Sequence, residues 1–306
     1  MSALFQVNFY LLTPFKIEHT NTMRSVSILM LPLHAQKNMR KILIFLLFMV
    51  FSAPFIFAQK SGDLGILGGV TFYMGDLNPN KPFLLSKPAF GIMYRQNFNP
   101  RISVRLHGLR GKVAGDDAVS KTNPERNLNF ESNLTEIGLQ LEINFFEYFI
   151  GSKLHPISPY IFGGPTVFFF KPYGNLPAGK TELQPLTTEN QGSPYKLYAF
   201  SGSFGLGVKY SISKLIGVGA EWGMRKTTTD YLDDVSKAYY LDLAANPPAT
   251  PTIQEIASDP TLSHNAGMQR GNSRDTDWYS FAGISLTVKI RMLAKENCLD
   301  HQREGY

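Results

Sequence analysis

Beyond its first sixty residues the chain is written largely in a two-residue rhythm. Over 197–212, Tyr198, Phe200, Phe204, Leu206, Val208, Tyr210 and Ile212 alternate with Ala199, Ser201, Ser203, Gly205, Gly207, Lys209 and Ser211. Successive side chains of a strand point to opposite faces, so one face here is apolar and aromatic and the other small or polar. Residues 134–146 repeat the pattern, with Ile137, Leu139, Leu141, Ile143 and Phe145 set against Glu136, Gly138, Gln140, Glu142 and Asn144. So do 215–225, around Trp222 and Glu221, and 280–290, around Ile284 and Ser285. Less regular strands are expected over 64–74, 88–98, 101–111 and 159–170. Pro165 interrupts the last and marks a candidate bulge. Eight strands of about ten residues result, each long enough at a barrel tilt to span a hydrocarbon layer.

A soluble sandwich alternates too, but it buries its large face and puts charges on the other. Here the second face is small and glycine-rich, which suits a narrow lumen behind a lipid-facing exterior. The connections argue the same way. They fall at 75–87, 99–100, 112–131, 148–158, 171–196, 213–214 and 226–277, long alternating with short. Outer-membrane barrels have tight periplasmic turns and long outer loops. The expected fold is therefore an all-β, eight-stranded antiparallel transmembrane outer-membrane β-barrel over 59–290, with a periplasmic tail over 291–306. Aromatic residues gather at the expected boundaries, as Phe145, Phe146, Tyr148 and Phe149 and again as Trp278 and Tyr279.

The leader supports export. Met39-Arg40-Lys41 precedes an apolar stretch from Ile42 to Phe57, and cleavage is expected between Ala58 and Gln59. The 39–58 segment reads as a signal peptide, and 1–38 as an upstream mis-start or a genuine extension. The protein of 306 residues is 18% charged, 13% aromatic and formally +6. Removing residues 1–58, with five basic residues and one acidic, leaves 25 basic and 23 acidic residues, so the excess is largely the leader's. No basic run tracks a phosphate backbone, which excludes nucleic acid as a partner. Outer-membrane lipid is the expected surrounding, in the envelope of a Gram-negative bacterium.

Candidate chemistry is sparse. The expected lumen carries Arg95, Arg105, Lys209, Arg225 and Lys289 with Glu136, Glu142 and Glu221. Eight strands leave room only for side chains, so these charges read as a salt-bridge plug in preference to a proton path. His107 is expected beside Arg105 in the lumen. No histidine sits two residues before a serine, the spacing that would bring both to one strand face, and no nucleophile site is expected. Asp230, Asp233 and Asp234 have oxygen ligands of the kind calcium takes but no EF-hand frame, and read as a solvated loop. No cofactor or metal is expected. Cys298 is the lone cysteine, either free or bonded to another chain.

Several motifs together resemble one family. Gly75-Asp76-Leu77-Asn78-Pro79 follows the first strand, and Asn97-Phe98-Asn99-Pro100-Arg101 closes the first hairpin. Ser158-Pro159-Tyr160 and Leu183-Gln184-Pro185-Leu186 come later. The longest run extends from Glu221-Trp222-Gly223-Met224-Arg225 to Asp233-Asp234-Val235-Ser236, followed by Arg270-Gly271-Asn272 and Asp277-Trp278-Tyr279. Over nearly all of 62–290 this set resembles the PorG family, the small outer-membrane barrel of the type IX (Por) secretion system. The resemblance implies a non-enzymatic component of a protein-secretion and gliding apparatus. It implies as partners a periplasmic ring lipoprotein and that lipoprotein's partner protein. On this topology the ring would meet the turns at Asn99, at His155 and at Lys214, and the tail at Cys298, where an intermolecular disulfide is a candidate contact. The 226–236 run is expected outside, packed over the barrel mouth, and Lys237 to Leu243 is a candidate extra hairpin within the long last connection. A free-standing envelope barrel and a lipid A-modifying barrel are the alternatives.

Overall fold

The computed structural model describes residues 61–291. The segments 1–38 and 39–58, the Ala58–Gln59 junction and Cys298 lie outside the described residues. Nine strands follow one another: β1 (Ser61–Met74), β2 (Lys87–Asn97), β3 (Ile102–Asp116), β4 (Asn129–Asn144), β5 (Ile157–Leu176), β6 (Gly179–Glu182), β7 (Tyr198–Ser211), β8 (Ile216–Thr227) and β9 (Trp278–Arg291). All pairings are antiparallel, in the order β4-β3-β2-β1-β9-β8-β7-β5, and β4 pairs with β5 to close the ring. The protein is thus a closed eight-stranded barrel, with β6 outside it as a short partner of β5.

Two expectations change. Pro165 makes no bulge: Glu131 opposite Tyr173 and Asn144 opposite Tyr160 hold one register from end to end. The proline lacks an N–H, and the β4 ladder is interrupted only opposite Gly164 and Pro165. The Ser203 hydroxyl donates to the Gly164 carbonyl at 2.8 Å there. Gly164 has no alternative, because a Cβ would stand 2.1 Å from the Leu139 carbonyl oxygen. The extra hairpin considered for 237–243 is absent among the described residues. Only a single bridge, Ala238 to Gln269, falls in that long loop, beside a short helix, α2 (Ile253–Ser258). The added hairpin is instead β5–β6, in the 171–196 connection.

The barrel also stands taller on one side than its apolar pattern implied. β3 runs to Asp116 and β4 starts at Asn129, so their connection shrinks and opens with α1 (Asp117–Ser120). The Asp116 carboxylate caps α1 by accepting from the Ala118 and Val119 amides.

The alternation is realised on the outer wall. Leu64, Ile66, Phe90, Ile92, Leu106, Ile137, Leu139, Leu141, Ile161, Phe204, Leu206, Ile284 and Leu286 are all exposed. They form an apolar band on every side of the barrel, far beyond the scattered exposed apolar residues of a soluble surface. Their inward neighbours Glu136, Gln140 and Glu142 are fully buried. Tyr148 and Tyr279, expected in the aromatic boundary, are buried inside instead, whereas Phe145, Phe146 and Phe149 are exposed as expected. Tyr279 occupies an inward position of β9, and Tyr148 lies in a turn that folds inward.

Candidate functional site

The barrel axis is occupied from end to end, and its residues follow from strand parity. Inward positions of β4 supply Glu136, Gln140, Glu142 and Asn144. Inward positions of β2 and β3 supply Arg95, Arg105 and His107. Nearer the short-turn end, Glu142 is the hub. It accepts from Arg95 Nε at 2.7 Å, Lys209 Nζ at 2.6 Å and Ser103 Oγ at 3.2 Å, and pairs with Arg105 Nε at 3.1 Å. Arg105 also pairs with Glu221 and donates to Gln140, and the Tyr160 hydroxyl donates to Glu221 at 2.7 Å. Arg95 reaches Asp63 at 3.5 Å. Three cations thus meet three carboxylates, all nearly without solvent exposure. Buried charges left unpaired are costly, and this set is matched.

A second hub lies toward the long loops. Glu136 accepts from the Arg225 guanidinium at 3.2 Å and from the Tyr279 hydroxyl at 2.6 Å, with His107 Nε2 2.6 Å away. His107 lies here and not against the Arg105 group, because Gly138 leaves it space: a Cβ on Gly138 would stand 2.4 Å from the imidazole. Of the charges predicted for the lumen, Arg95, Arg105, Glu136, Glu142, Lys209, Glu221 and Arg225 are brought together in these two hubs. Lys289 is not; it is half-buried, with its ammonium 5.8 Å from the centre of the Phe149 ring.

Both ends are shut as well. The 145–156 turn crosses the short-turn end with Tyr148 and Ile150 buried. Tyr148 N bonds the Pro100 carbonyl at 3.0 Å, and Gly151 N bonds the Ser211 hydroxyl at 2.8 Å, so this turn ties to its two neighbours. Asn99 is spent within its own turn, accepting from the Arg101 and Ile102 amides at 2.8 Å each. His155 and Lys214 are exposed, and so is Leu154, at 81%.

At the other end the long loops form a folded cap. Leu77, Leu128, Leu183, Leu232, Val235 and Ala257, from all four long connections, pack with Tyr73, Phe168 and Tyr279. Arg270 stitches the cap from within, donating to Glu189 at 3.0 Å and to the Asp234 carbonyl at 2.6 Å. Arg126 binds Asp117 at 2.7 Å and the Arg270 carbonyl at 2.5 Å. The expected solvated acidic loop is overturned here: Asp233 and Asp234 are fully buried and only Asp230 is partly open. Packing over the mouth, the other expectation for this run, is what the structure has. The Tyr73 hydroxyl lies 2.5 Å from Asp233 Oδ2 and 2.9 Å from Asp277 Oδ1. One phenol proton cannot serve two carboxylates, so the trio calls for a carboxylic acid proton. Burial raises Asp230 to about 7 and Asp234 to about 6. It raises Asp233 and Asp277 as well, and Asp277 adds repulsion to Asp233.

Among the described residues His264, Asp259 and Ser263 come together, but not in the order of a relay. His264 Nδ1 faces both Asp259, at 3.0 Å, and Ser263, at 3.5 Å, so one nitrogen meets acid and hydroxyl alike. A relay needs the acid on one ring nitrogen and the hydroxyl on the other. Among the described residues no group of three or more His, Cys, Asp or Glu side chains is placed to hold a metal ion. The sequence reading missed Asp63, Tyr160 and Tyr279 as lumen partners. Asp63 fell one residue before the assumed start of its strand, and Tyr160 stood on the strand whose inward face Pro165 obscured.

A family model described as a domain of unknown function (DUF6089) matches residues 40–243. No curated protein matches the chain. Among solved structures the chain is similar to Ail, the attachment invasion locus protein of Yersinia pestis, at 9% identity and a TM-score of 0.39, covering 76% of this chain and 100% of that one. It is similar to Neisserial surface protein A at 10% identity and a TM-score of 0.39, with the same 76% and 100% coverage. It is also similar to the outer membrane protein OprG from Pseudomonas aeruginosa, at 14% identity and a TM-score of 0.34, covering 78% of this chain and 100% of that one. The likeness is one of fold alone.

Proposed function

The chain belongs to the DUF6089 family, and from that premise we propose that it is a non-enzymatic anchor in the outer membrane of a Gram-negative bacterium, tying a periplasmic ring of the type IX secretion apparatus to the membrane. The observation that carries the reading is the sealed axis. A barrel floored by Tyr148 and Ile150, filled by two ion-pair hubs and capped by its loops gives its axis, among the described residues, to side chains and not to a solute. Such a barrel serves by what its surfaces hold. The apolar band supplies the membrane residence, because its exposed area has no favourable home in water. The motifs that resemble PorG supply the identity of the apparatus.

In this reading the short turns face the periplasm and carry the partner contact. Asn99 shapes the first turn and is a rigid part of that surface. His155, Lys214 and the exposed Leu154 form the part open to a partner. Cys298, which follows the last strand in sequence, is the candidate for a disulfide to the ring lipoprotein.

The test is to solubilise tagged protein from the outer membrane in mild detergent and identify what co-purifies, with the gel run without reductant. Recovery of a periplasmic lipoprotein in a band that collapses with reductant and is missing in Cys298→Ala supports both the anchor and its covalent contact. The same lipoprotein without a thiol-dependent band keeps the anchor and removes the disulfide. The barrel alone, from a cell that contains the ring, removes the anchor in favour of a free-standing envelope barrel. Altered lipid A mass on deletion would favour a lipid-modifying role.

A further inference from the structure

The outer wall carries a cluster of charges that neither the lumen nor the cap uses. The apolar band stops at Ile137 on β4 and at Phe169 on β5. The next outward positions toward the long loops are Thr135, Asn133 and Glu131 on β4, and Lys171 and Tyr173 on β5. On β3, Leu106 and Gly108 give way to Arg110 and Lys112, which stand beside Thr135 and Asn133 in register. Each outward step is about 6–7 Å along a strand, so these cations stand one or two steps above the hydrocarbon-facing residues.

The cluster is basic and held in place. Lys87, Lys112 and Lys180 converge on the single carboxylate of Glu131, at 3.5, 3.1 and 2.6 Å. Lys171 pairs with Glu182 of β6 at 2.8 Å. With the exposed Arg110, five cations face two carboxylates, an excess of three. The side chains remain half open, those of Lys112, Lys171 and Lys180 being 48%, 42% and 46% exposed. Lys171 and Lys180 both lie over the Tyr173 ring, at 5.7 and 5.2 Å from its centre. An aromatic ring with cations at its face, directly above an apolar wall, is the arrangement of a membrane interface. The β5–β6 hairpin, outside the closed barrel, supplies Lys180 and Glu182.

We propose that this collar binds the phosphorylated glycolipid of the outer leaflet, a lipid phosphate seating among Lys112, Lys171 and Lys180 beside Tyr173 while the acyl chains run down past Phe169 and Ile137. The inference rests on the outer-membrane reading above and names a lipid partner for it. Three surplus cations offer a phosphate its countercharge, and the wall below offers the chains an apolar surface. A soluble anion would use only the first of these.

The test uses the full mature chain in phosphatidylcholine nanodiscs doped with bisphosphorylated lipid A or with the same lipid dephosphorylated. Lipid retained per barrel after gel filtration is counted by mass spectrometry. The wild type is expected to enrich the phosphorylated form, with enrichment falling as salt rises. Lys112→Gln, Lys171→Gln and Lys180→Gln together are expected to weaken that retention on the order of 100-fold, at about a factor of 5 for each cation near a membrane surface. The triple Lys→Arg variant is expected to keep it. Equal retention of the two lipids, or an unchanged Gln variant, overturns the proposal. Displacement by millimolar inorganic phosphate would show a soluble-anion site and overturns the lipid assignment. A wild type that inserts into phosphatidylcholine as a protease-protected barrel but shows no lipid preference sinks the collar alone. One that fails to insert sinks the membrane reading with it.

Discussion

The lumen and the cap are both polar and both buried, yet they solve the problem of buried charge in opposite ways. In the lumen each carboxylate is met by a cation: Glu142 by Arg95, Arg105 and Lys209, Glu136 by Arg225, and Glu221 by Arg105. In the cap, Asp233 and Asp277 crowd one phenol, with Asp230 and Asp76 near them, and Arg270 reaches only the Asp234 and Glu189 side. The lumen is therefore balanced by ion pairs throughout, whereas the cap pairs Asp117 with Arg126 and Glu189 with Arg270 but sets Asp233 and Asp277 against a phenol, where burial raises both carboxyls. A strand scaffold can set fixed partners opposite one another at every second residue, whereas loops bring carboxylates together with fewer built-in counterions.

Breaking the lumen should have the largest effect. Glu142→Gln leaves three buried cations without their hub and is expected to cost about 3–5 kcal/mol, read as a lower urea midpoint for loss of the heat-modifiable barrel. A midpoint unchanged from wild type would mean that the hub contributes nothing. The second hub sharpens the point through a cycle. Glu136→Gln alone should cost about 3 kcal/mol, and adding Arg225→Met should recover part of that loss, because the stranded cation is gone. Strictly additive losses would contradict pairing.

The cap should respond to pH. A carboxyl whose folded pKa lies above its unfolded value of about 3.9 binds its proton more tightly when folded. Its stabilisation is complete below the unfolded value and is lost as pH rises through the folded value, about 6 for Asp234 and about 7 for Asp230. Amide exchange across 228–277 is thus expected to be faster near pH 8 than near pH 5, after correction for intrinsic rates. Asp233→Asn should reduce that difference and stabilise the cap at high pH by about 1 kcal/mol. Exchange with the same protection at both pH values would argue against proton-held carboxyls. The smallest effect is expected at the exposed ion pairs of the outer wall: Lys112→Ala should shift the unfolding midpoint by less than about 0.5 kcal/mol, since solvent already screens that pair.

The contrast also explains what could be read in advance. Strands were legible because the lipid and the lumen impose opposite demands on alternate residues, and Phe204, Leu206 and Val208 against Ser203 and Lys209 satisfy both at once. Inward charges followed from the same parity. Their pairings did not, since Arg105 meets Glu221 across the barrel, 116 residues away. The floor was missed because Tyr148 sits among exposed phenylalanines and looks like one of them. The cap was the least legible part. Its residues follow no period, and the burial of Asp233 depends on Tyr73, and that of Asp234 on Tyr195, Thr188 and Arg270, arriving from elsewhere in the chain.

One pairing sets the timetable of assembly. β1 zips to β9 through fourteen consecutive positions, from Ser61 opposite Arg291 to Met74 opposite Trp278. Until the last strand has been synthesised and delivered, the first has an open edge, and no partial product can become a ring. Closure is therefore the last event of folding and waits for the C-terminal strand. A premature stop anywhere before Trp278 would yield an unfinished sheet with two sticky margins, fit for proteolysis and not for a smaller version of the same protein.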